Sequence, residues 1–529
     1  MMQTSQHQSK HRHPRLASVL AAVSMLAATA VAAERPVVEA VEETATLVIA
    51  ASKNDRAAVR ALLDAKPRPD VNQRALDGTT ALHWAVYHDD VELIDRLLAA
   101  GADPNAKNDY GSTPMSEAAV RGNVDVMRKL LKRGADVESP NADGQTALMI
   151  VARTNNVDAA RLLVRHGADV NAREKWRGQT ALMWAAAEAR PDMVRYLISC
   201  GADVNARSNV NEWERQVTAE PRVQARPSGG FTPLLYAARK GCTECARALI
   251  EGGADKDLTD PDGVSPLLLA TLNFNFDVAA FLVEVGADVD KWDHWGRSAL
   301  YAAVDANTLP TGGRADRPSL DETSSLELIE RLLQAGANPN LQLKLFPPHR
   351  SLRDDRGADM MLTVGTTPLI RAAKAGDVAA MRLLLEHGAH PDLATLDGIT
   401  PLMAAAGLGS SPIDTRGRYK TEAQAIEAVE VLLAAGADIH ARARNGQTAL
   451  HGAARWGWNE LIRALVAHDA DVMVADVQGR TPADIAKGSN TGSGRVSIQA
   501  HPETEKLLRE LMAAQTAAQP VAAAERATQ

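Results

Sequence analysis

Residues 77–82 read Asp-Gly-Thr-Thr-Ala-Leu, and residues 97–103 read Leu-Leu-Ala-Ala-Gly-Ala-Asp. This pair of motifs returns about every 33 residues along most of the chain, with small variations. The glycines that open the successive units are Gly78, Gly111, Gly144, Gly178, Gly230, Gly263, Gly296, Gly365, Gly398, Gly446 and Gly479. A constant period of this length is typical of proteins built from stacked repeats, in which each unit packs only against its neighbours. Because such proteins usually present a surface, the sequence favours binding over catalysis.

Each unit carries the local signals of two short helices. A Thr or Ser stands two residues after every opening glycine, as at Thr80, and Pro or Ala follows it. A hydroxyl is a good helix N-cap, and Pro suits the first helical position. A second helix with paired leucines ends at a glycine such as Gly101, and Asp469 takes this place in one unit; both residue types tolerate left-handed backbone. The polar residues that follow predict a hairpin turn, which we call the finger.

At this level of detail the units resemble ankyrin repeats. Residues 80–85, Thr-Ala-Leu-His-Trp-Ala, and residues 448–453, Thr-Ala-Leu-His-Gly-Ala, are close to the ankyrin signature Thr-Pro-Leu-His-x-Ala. The resemblance extends over about residues 44–513 and implies an all-α ankyrin-repeat solenoid, with a helix-turn-helix and a hairpin finger in each unit. His83 and His451 keep the signature histidine, whereas most other units have Met, Leu, Tyr or Ile there. The polar network that this histidine makes between repeats is therefore expected mainly at those two units.

The repeat boundaries predict the organisation of the whole chain. We expect a capping repeat in residues 37–76, ten full repeats in 77–476, a second capping repeat in 477–513 and a disordered tail in 514–529. Spacings longer than those of a regular unit indicate four insertions, near residues 209–228, 305–322, 342–364 and 407–421. The first and third insertions extend fingers, and the other two extend turns between helices. Long loops inside compact repeats are often functional, although tolerated loops are the alternative.

The N-terminal residues predict export. Three basic residues precede an uncharged, alanine-rich stretch, Leu16 to Ala33, and Ala30-Val31-Ala32 offers a small-x-small cleavage site. We interpret residues 1–33 as a secretory signal peptide, which places the mature chain in the periplasm or outside the cell. The alternative is an uncleaved membrane anchor, because the stretch just reaches spanning length. The net charge of −8 argues against nucleic acid or an anionic membrane as the main partner.

Two of the three cysteines have Cys-x-x-Cys spacing, at Cys242 and Cys245. In the ankyrin pattern they fall at the turn into a second helix, with Cys245 at a core position. The interpretation that we favour is two small buried residues. A local disulfide formed in an oxidising compartment and a redox-active pair are the alternatives.

Aromatic and arginine residues mark the candidate binding surface, because this combination is typical of interface hot spots. The candidates in fingers or finger insertions are Trp176, Arg177, Trp213, Trp292, Trp295 and Arg297. The resemblance places the residue seven after each cap in the concave groove, which adds Tyr87, Arg153, Arg239, Lys374 and Arg455. Ordinary solvated side chains are the alternative explanation for this set.

These observations favour a monomeric protein–protein interaction scaffold or adaptor in the cell envelope, which binds through the groove and the extended fingers. A secreted effector that binds another cell's proteins and a passive spacer are the first alternatives. The chain lacks a Gly-x-Ser-x-Gly elbow, a phosphate-binding loop and a His-Glu-x-x-His motif. We therefore expect no catalytic site, cofactor or metal, and an enzyme or redox accessory that uses an inserted loop or Cys242 and Cys245 is the least favoured reading.

Overall fold

Helices account for nearly all regular structure in the computed structural model. It describes residues 46–219, 222–308, 321–346, 363–409, 420–488 and 499–527. Side chains are described for all of these except residues 212–219, 222–225 and 517–527. The described residues from Leu47 onward belong to one structural unit. The predicted signal peptide, residues 1–33, and the first part of the N-terminal capping repeat lie outside the described residues.

Twelve helix pairs follow one another along the described ranges. The first helices of the pairs are α1 (Leu47–Ser52), α3 (Ala81–Tyr87), α5 (Pro114–Arg121), α7 (Ala147–Thr154), α9 (Ala181–Ala187), α11 (Pro233–Lys240), α13 (Pro266–Leu272), α15 (Ala299–Asn307), α17 (Pro368–Ala375), α19 (Pro401–Ala405), α21 (Ala449–Trp456) and α23 (Pro482–Ala486). The second helices are α2 (Arg56–Asp64), α4 (Val91–Ala99), α6 (Val124–Lys132), α8 (Val157–Arg165), α10 (Pro191–Ser199), α12 (Thr243–Glu251), α14 (Phe276–Glu284), α16 (Ser325–Gln334), α18 (Val378–Glu386), α20 (Glu422–Ala434), α22 (Asn459–Ala467) and α24 (Pro502–Ala527).

The hydroxyl residues predicted as caps all stand at helix N-cap positions. At Thr146, for example, Oγ1 accepts a hydrogen bond of 3.3 Å from the Met149 backbone N–H. Each second-helix glycine that the sequence indicates as a stop has a left-handed backbone, and Asp469 adopts the same conformation at φ 65°. Local chemistry therefore fixes where most helices begin and end.

The helices form two layers around one continuous core. Successive first helices pack on one another, from α1 and α3 through α21 and α23, and successive second helices form the other row. The core consists mainly of alanines and leucines that these rows bury, such as Leu82, Ile94 and Leu97. Small side chains at many core positions let neighbouring helices approach closely. Each repeat buries its apolar side chains against the repeats on either side, so its stability depends on those contacts.

A row of asparagines joins the repeats at the ends of the second helices. The Asn72 side chain donates to the Gly101 carbonyl at 3.1 Å and accepts from the Asp103 N–H at 2.7 Å. The same two bonds to the following repeat are made by Asn105, Asn171, Asn205 and Asn340. An amide can donate and accept at once, which explains why asparagine suits a place where a helix-end carbonyl and the next N–H lie side by side.

The first insertion forms the only described sheet. Strands β1 (Val210–Ala219) and β2 (Arg222–Gly229) pair antiparallel, with a register shift between Asn211 and Arg215. The sequence predicted an extended finger here, and the structure extends it into a two-stranded hairpin much longer than the other fingers. Most of the other three insertions, residues 309–320, 347–362 and 410–419, lie outside the described residues.

The predicted disordered tail requires a correction. Helix α24 runs through Ala527, so residues 514–527 are helical rather than disordered in the structure. The sequence of this segment is rich in alanine, the residue with the highest intrinsic helix propensity, and the helix simply continues from the turns that pack on α23.

Candidate functional site

The ends of the first helices carry an exposed surface of arginines stacked on aromatic rings. In the first repeat Tyr87 is 47% exposed, and the Arg121 guanidinium of the next repeat lies 4.6 Å from its ring centroid. Arg153 lies 4.7 Å from the ring centroid of Trp184, again across one repeat boundary. We call Tyr87, Arg121, Arg153 and Trp184 the first-helix surface. Stacking on a ring orients each guanidinium, and Arg121 Nη2 also donates a hydrogen bond to the Tyr87 carbonyl.

The same arrangement continues into a cavity at the base of the hairpin. Arg239, at the end of α11, lies 5.2 Å from the ring centroid of Phe231 and 5.1 Å from that of Tyr236. The Tyr236 hydroxyl accepts a 2.6 Å hydrogen bond from Gln179 Nε2, which fixes this ring in place. Arg239 is exposed, so the aromatic pair holds the guanidinium at the mouth of the cavity.

We call this cavity the hairpin cleft; its volume is about 480 Å³. Its walls are Asn209 and Ser228 at the base of the hairpin, Phe231, Tyr236 and Arg239 around α11, Leu269 and Leu272 on α13, and Arg177, Asp260, Asp262, Trp295 and Arg297 from the neighbouring fingers. Four residues that the sequence singled out as candidates therefore meet here: Arg177, Arg239, Trp295 and Arg297. They come from three different repeats, and nothing in the repeat pattern indicates that they share one cavity.

The carboxylates in the cleft wall are already engaged. Asp262 forms a 2.8 Å ion pair with Arg226 of β2, which ties the hairpin to the next finger. Asp260 Oδ1 accepts the backbone N–H groups of Asp262 and Val264, both at 2.9 Å. By contrast, no carboxylate among the described side chains lies within ion-pair distance of Arg177 or Arg239. The cleft is thus lined by two arginines without an ion-pair partner in that part of the structure.

The prediction that Trp295 and Arg297 lie on an exposed finger surface is wrong. Trp295 is 1% exposed. Asp293 Oδ1 accepts hydrogen bonds from the backbone N–H groups of Trp295 and Arg297, and this turn directs the finger inward. The chain at Lys344 closes over it, with a 2.9 Å hydrogen bond from the Lys344 N–H to the Trp295 carbonyl. Arg297 is held by the Asp293 carboxylate through Nε at 2.7 Å, so its charge is already paired. Both residues shape the cleft wall rather than reach into solvent.

Lys374 is a third correction, because it is only 7% exposed and does not face an open groove. The chain that returns from the insertion near residues 407–421 covers it: Lys420 Nζ donates to the carbonyls of Ala373 and Ala404 at 3.2 and 2.6 Å. Burial, and then the charge of Lys374, lower the pKa of Lys420 well below its usual value. Arg455, the last candidate of this group, is half-buried beside the capping repeat.

The remaining finger candidates are separate from one another. Trp176 is 64% exposed, and its Nε1 donates to Asp143 at 3.0 Å; Arg177 beside it is also exposed. Trp292 is 45% exposed, with the Lys344 ammonium 3.1 Å from its ring centroid. The backbone of Trp213 lies in β1, but its side chain is outside the described side chains.

Cys242 and Cys245 form a disulfide, with the sulfurs 2.05 Å apart. Cys242 is the N-cap of α12, and both side chains are buried. The structure therefore agrees with the disulfide alternative and not with two separate thiols. Burial keeps the pair away from other thiols, as expected of a structural bond.

Sequence reasoning missed Phe231 and Tyr236, the rings that position Arg239. Phe231 directly precedes the cap Thr232, where no other unit has an aromatic residue. That departure from the repeat pattern was the signal that could have identified the cleft.

The described residues lack two further kinds of feature. No helix there is both long and apolar enough to cross a membrane. That part of the chain also holds no cluster of three or more His, Cys, Asp or Glu side chains suited to a metal ion.

Comparison with known proteins gives consistent matches to one family. The family model for ankyrin repeats (3 copies) matches residues 47–141, 136–208, 216–293, 234–311, 319–413 and 420–493. The chain is 28% identical over 160 residues to human SH3 and multiple ankyrin repeat domains protein 2, covering 27% of the chain and 9% of that protein. It is 37% identical over 120 residues to mouse ankyrin repeat and SOCS box protein 16, covering 23% and 25%. For zebrafish (Danio rerio) ankyrin repeat and SOCS box protein 11, the identity is 32% over 119 residues, covering 22% and 35%.

The chain thus spans about a third or less of the length of these relatives. The family model, in contrast, follows the helix pairs from the first described helix almost to the last. The chain belongs to the ankyrin repeat family.

Proposed function

We propose that this protein is a binding scaffold of the cell envelope that engages another protein through the first-helix surface and the hairpin cleft. Ankyrin repeats indicate a protein–protein interaction scaffold, and the fixed stack of repeats loses little order on binding. The observation that carries the proposal is the series of exposed arginines oriented by aromatic rings, at Arg121, Arg153 and Arg239. Aromatic and arginine side chains supply much of the energy of protein interfaces.

Two observations support the location in the envelope. The basic and then apolar residues 1–33 support export, and the Cys242–Cys245 disulfide suits an oxidising compartment. The scaffold acts as a monomer, with a protein rather than nucleic acid as its partner, because the chain carries a net charge of −8. A secreted effector would use the same surface, outside the cell.

Affinity capture from a cell-envelope fraction tests the binding role. The wild-type chain is compared with a Tyr87→Ala/Arg153→Ala variant and with an Arg165→Ala control, which changes an exposed arginine on the second helix α8. We expect one protein to be captured by the wild type and the control but not by the double variant. Equal capture by all three would show that the first-helix surface is not the binding site.

Cell fractionation tests the location. A chain lacking residues 1–33 should remain in the cytoplasm, whereas the full chain should reach the envelope. Recovery of the full chain in the cytoplasm would contradict export, and recovery in the medium would favour the effector.

A further inference from the structure

The hairpin cleft is lined by two arginines that come from different repeats. Arg239 lies against two rings, and Arg177 belongs to the finger that precedes Gly178. Neither has a carboxylate within ion-pair distance among the described side chains. Two other arginines near the hairpin are compensated, in the Arg226–Asp262 and Arg297–Asp293 pairs.

The cleft wall beside the arginines is aromatic and apolar. Trp295 contributes a ring that is 1% exposed, and its indole Nε1 is closed off from solvent. Leu269 and Leu272 add to the apolar side of the cavity.

We infer that the hairpin cleft recognises an aspartate or glutamate side chain on a partner polypeptide, next to an apolar residue of that partner. The inference rests on the proposed binding function and names the chemistry of one contact within it. Arg177 and Arg239 bind the carboxylate by charge-assisted hydrogen bonds, and the leucines receive the apolar neighbour. A volume of about 480 Å³ holds more than a single ion, which favours a peptide segment over a free anion.

The charges around the cleft support this occupant over a basic one. The two acids in the wall, Asp260 and Asp262, are engaged by backbone N–H groups and by Arg226 respectively, so they do not compete for the two free arginines. A basic side chain would face Arg177 and Arg239 with like charge, which is unfavourable.

Selection of random phage-displayed peptides on the purified chain tests the inference. We expect the enriched peptides to carry Asp or Glu beside an apolar residue. A synthetic copy of the best peptide should bind the wild type, and its Glu→Gln (or Asp→Asn) version should bind at least about ten-fold more weakly. The Arg239→Gln protein should lose affinity to the same extent, whereas Arg165→Gln, which removes the same charge from α8, should not.

A charge exchange separates recognition from misfolding. The Arg177→Glu/Arg239→Glu protein should reject the acidic peptide and accept the version with lysine in place of the acid. Both arginines are exposed, so the helical circular dichroism of every variant should match that of the wild type.

Several results would overturn the inference. Enriched peptides without an acid, or unchanged binding by Arg239→Gln, would exclude carboxylate recognition. Full competition by free acetate or phosphate would make the cleft a small-anion site. Self-association of the chain that Arg239→Gln abolishes, without peptide binding, would assign the cleft to a second copy.

The experiments distinguish a failure of the scaffold proposal from a failure of the inference about the hairpin cleft. If the envelope partner is still captured by Arg239→Gln, the scaffold role stands and the cleft inference fails. If the acidic peptide binds but the envelope fraction yields no partner, the cleft chemistry stands and the scaffold proposal fails.

Discussion

Replacement of His83 by leucine tests how the repeats are joined. His83 is 3% exposed and bridges the first two full repeats. Its Nε2 faces the Ser112 carbonyl of the next repeat at 3.1 Å, so Nε2 carries the hydrogen and donates it. Nδ1 is then free to accept from the Thr80 N–H at 3.2 Å and from the Thr80 hydroxyl at 2.8 Å. His83→Leu removes all three bonds from a buried site.

The size of the effect follows from what is left unpaired. Ser112 keeps a second bond to its carbonyl, from the Asn108 N–H at 3.0 Å, so the main loss is the acceptor of the Thr80 N–H and of the Thr80 hydroxyl. An unsatisfied buried donor costs roughly 1–3 kcal/mol, and a leucine recovers part of this by burying apolar surface. We expect the free energy of unfolding of the affected repeats to fall by about 1–2 kcal/mol.

The effect should also depend on pH. Burial lowers the pKa of His83 from its ordinary value, and the hydrogen bond to Ser112 opposes this only in part. Below the ordinary pKa of about 6.5 the unfolded chain therefore binds more protons than the folded chain. The stabilisation by neutral His83 is fully present above that pH and declines as the pH falls. Leucine does not titrate, so the difference between the two proteins should shrink between about pH 7 and 5.

Urea unfolding followed by helical circular dichroism measures this, fitted with a nearest-neighbour model because repeats unfold in part independently. His440→Leu, at an exposed position, is the matched control and should change little. His451→Leu should repeat the result, because His451 makes the equivalent bonds to Thr448 and Arg480. A stability difference that stays constant or grows on acidification would refute the reasoning.

Two further substitutions test the fingers and the asparagine row. Burial alone would raise the pKa of Asp476, but hydrogen bonds, led by the one from Arg480, lower this pKa to about 2. The carboxylate therefore stabilises the folded state above about pH 4, and this stabilisation is lost as the pH falls towards about 2. Asp476→Asn should reduce the free energy of unfolding by about 1–2 kcal/mol near neutral pH, with the difference closing in acid, and a pH-independent difference in urea titrations would contradict this. Asn171→Asp keeps the acceptor for the next repeat but loses the bond to the Gly201 carbonyl, so thermal unfolding should show a loss of about 1 kcal/mol. Asp257→Asn is the control, because Asp257 occupies the equivalent position in another repeat and only accepts a hydrogen bond, from the Asp288 N–H. An equal loss of stability in both variants would show that the bond donated by Asn171 does not matter.

The elements that could be predicted from the sequence depend on contacts within one unit. Thr146 caps its helix and Asp469 takes the left-handed conformation because the deciding bonds join residues only a few positions apart. The period then repeats these local solutions, which is why the ankyrin architecture could be predicted from residues 77–103 and their copies. Candidates on regular repeat positions, such as Tyr87 and Arg153, are exposed as expected.

The residues that the inserted segments cover, and the charges that are paired there, could not be predicted because they depend on contacts between distant parts of the chain. Trp295 and Lys374 occupy positions that are open in a regular unit, but chain from distant segments, at Lys344 and Lys420, closes over them. The same long-range packing brings Arg177 and Arg239 from different repeats to one cleft and leaves them unpaired. Burial depends on what packs from outside the unit, and a periodic pattern carries no information about where an inserted segment returns.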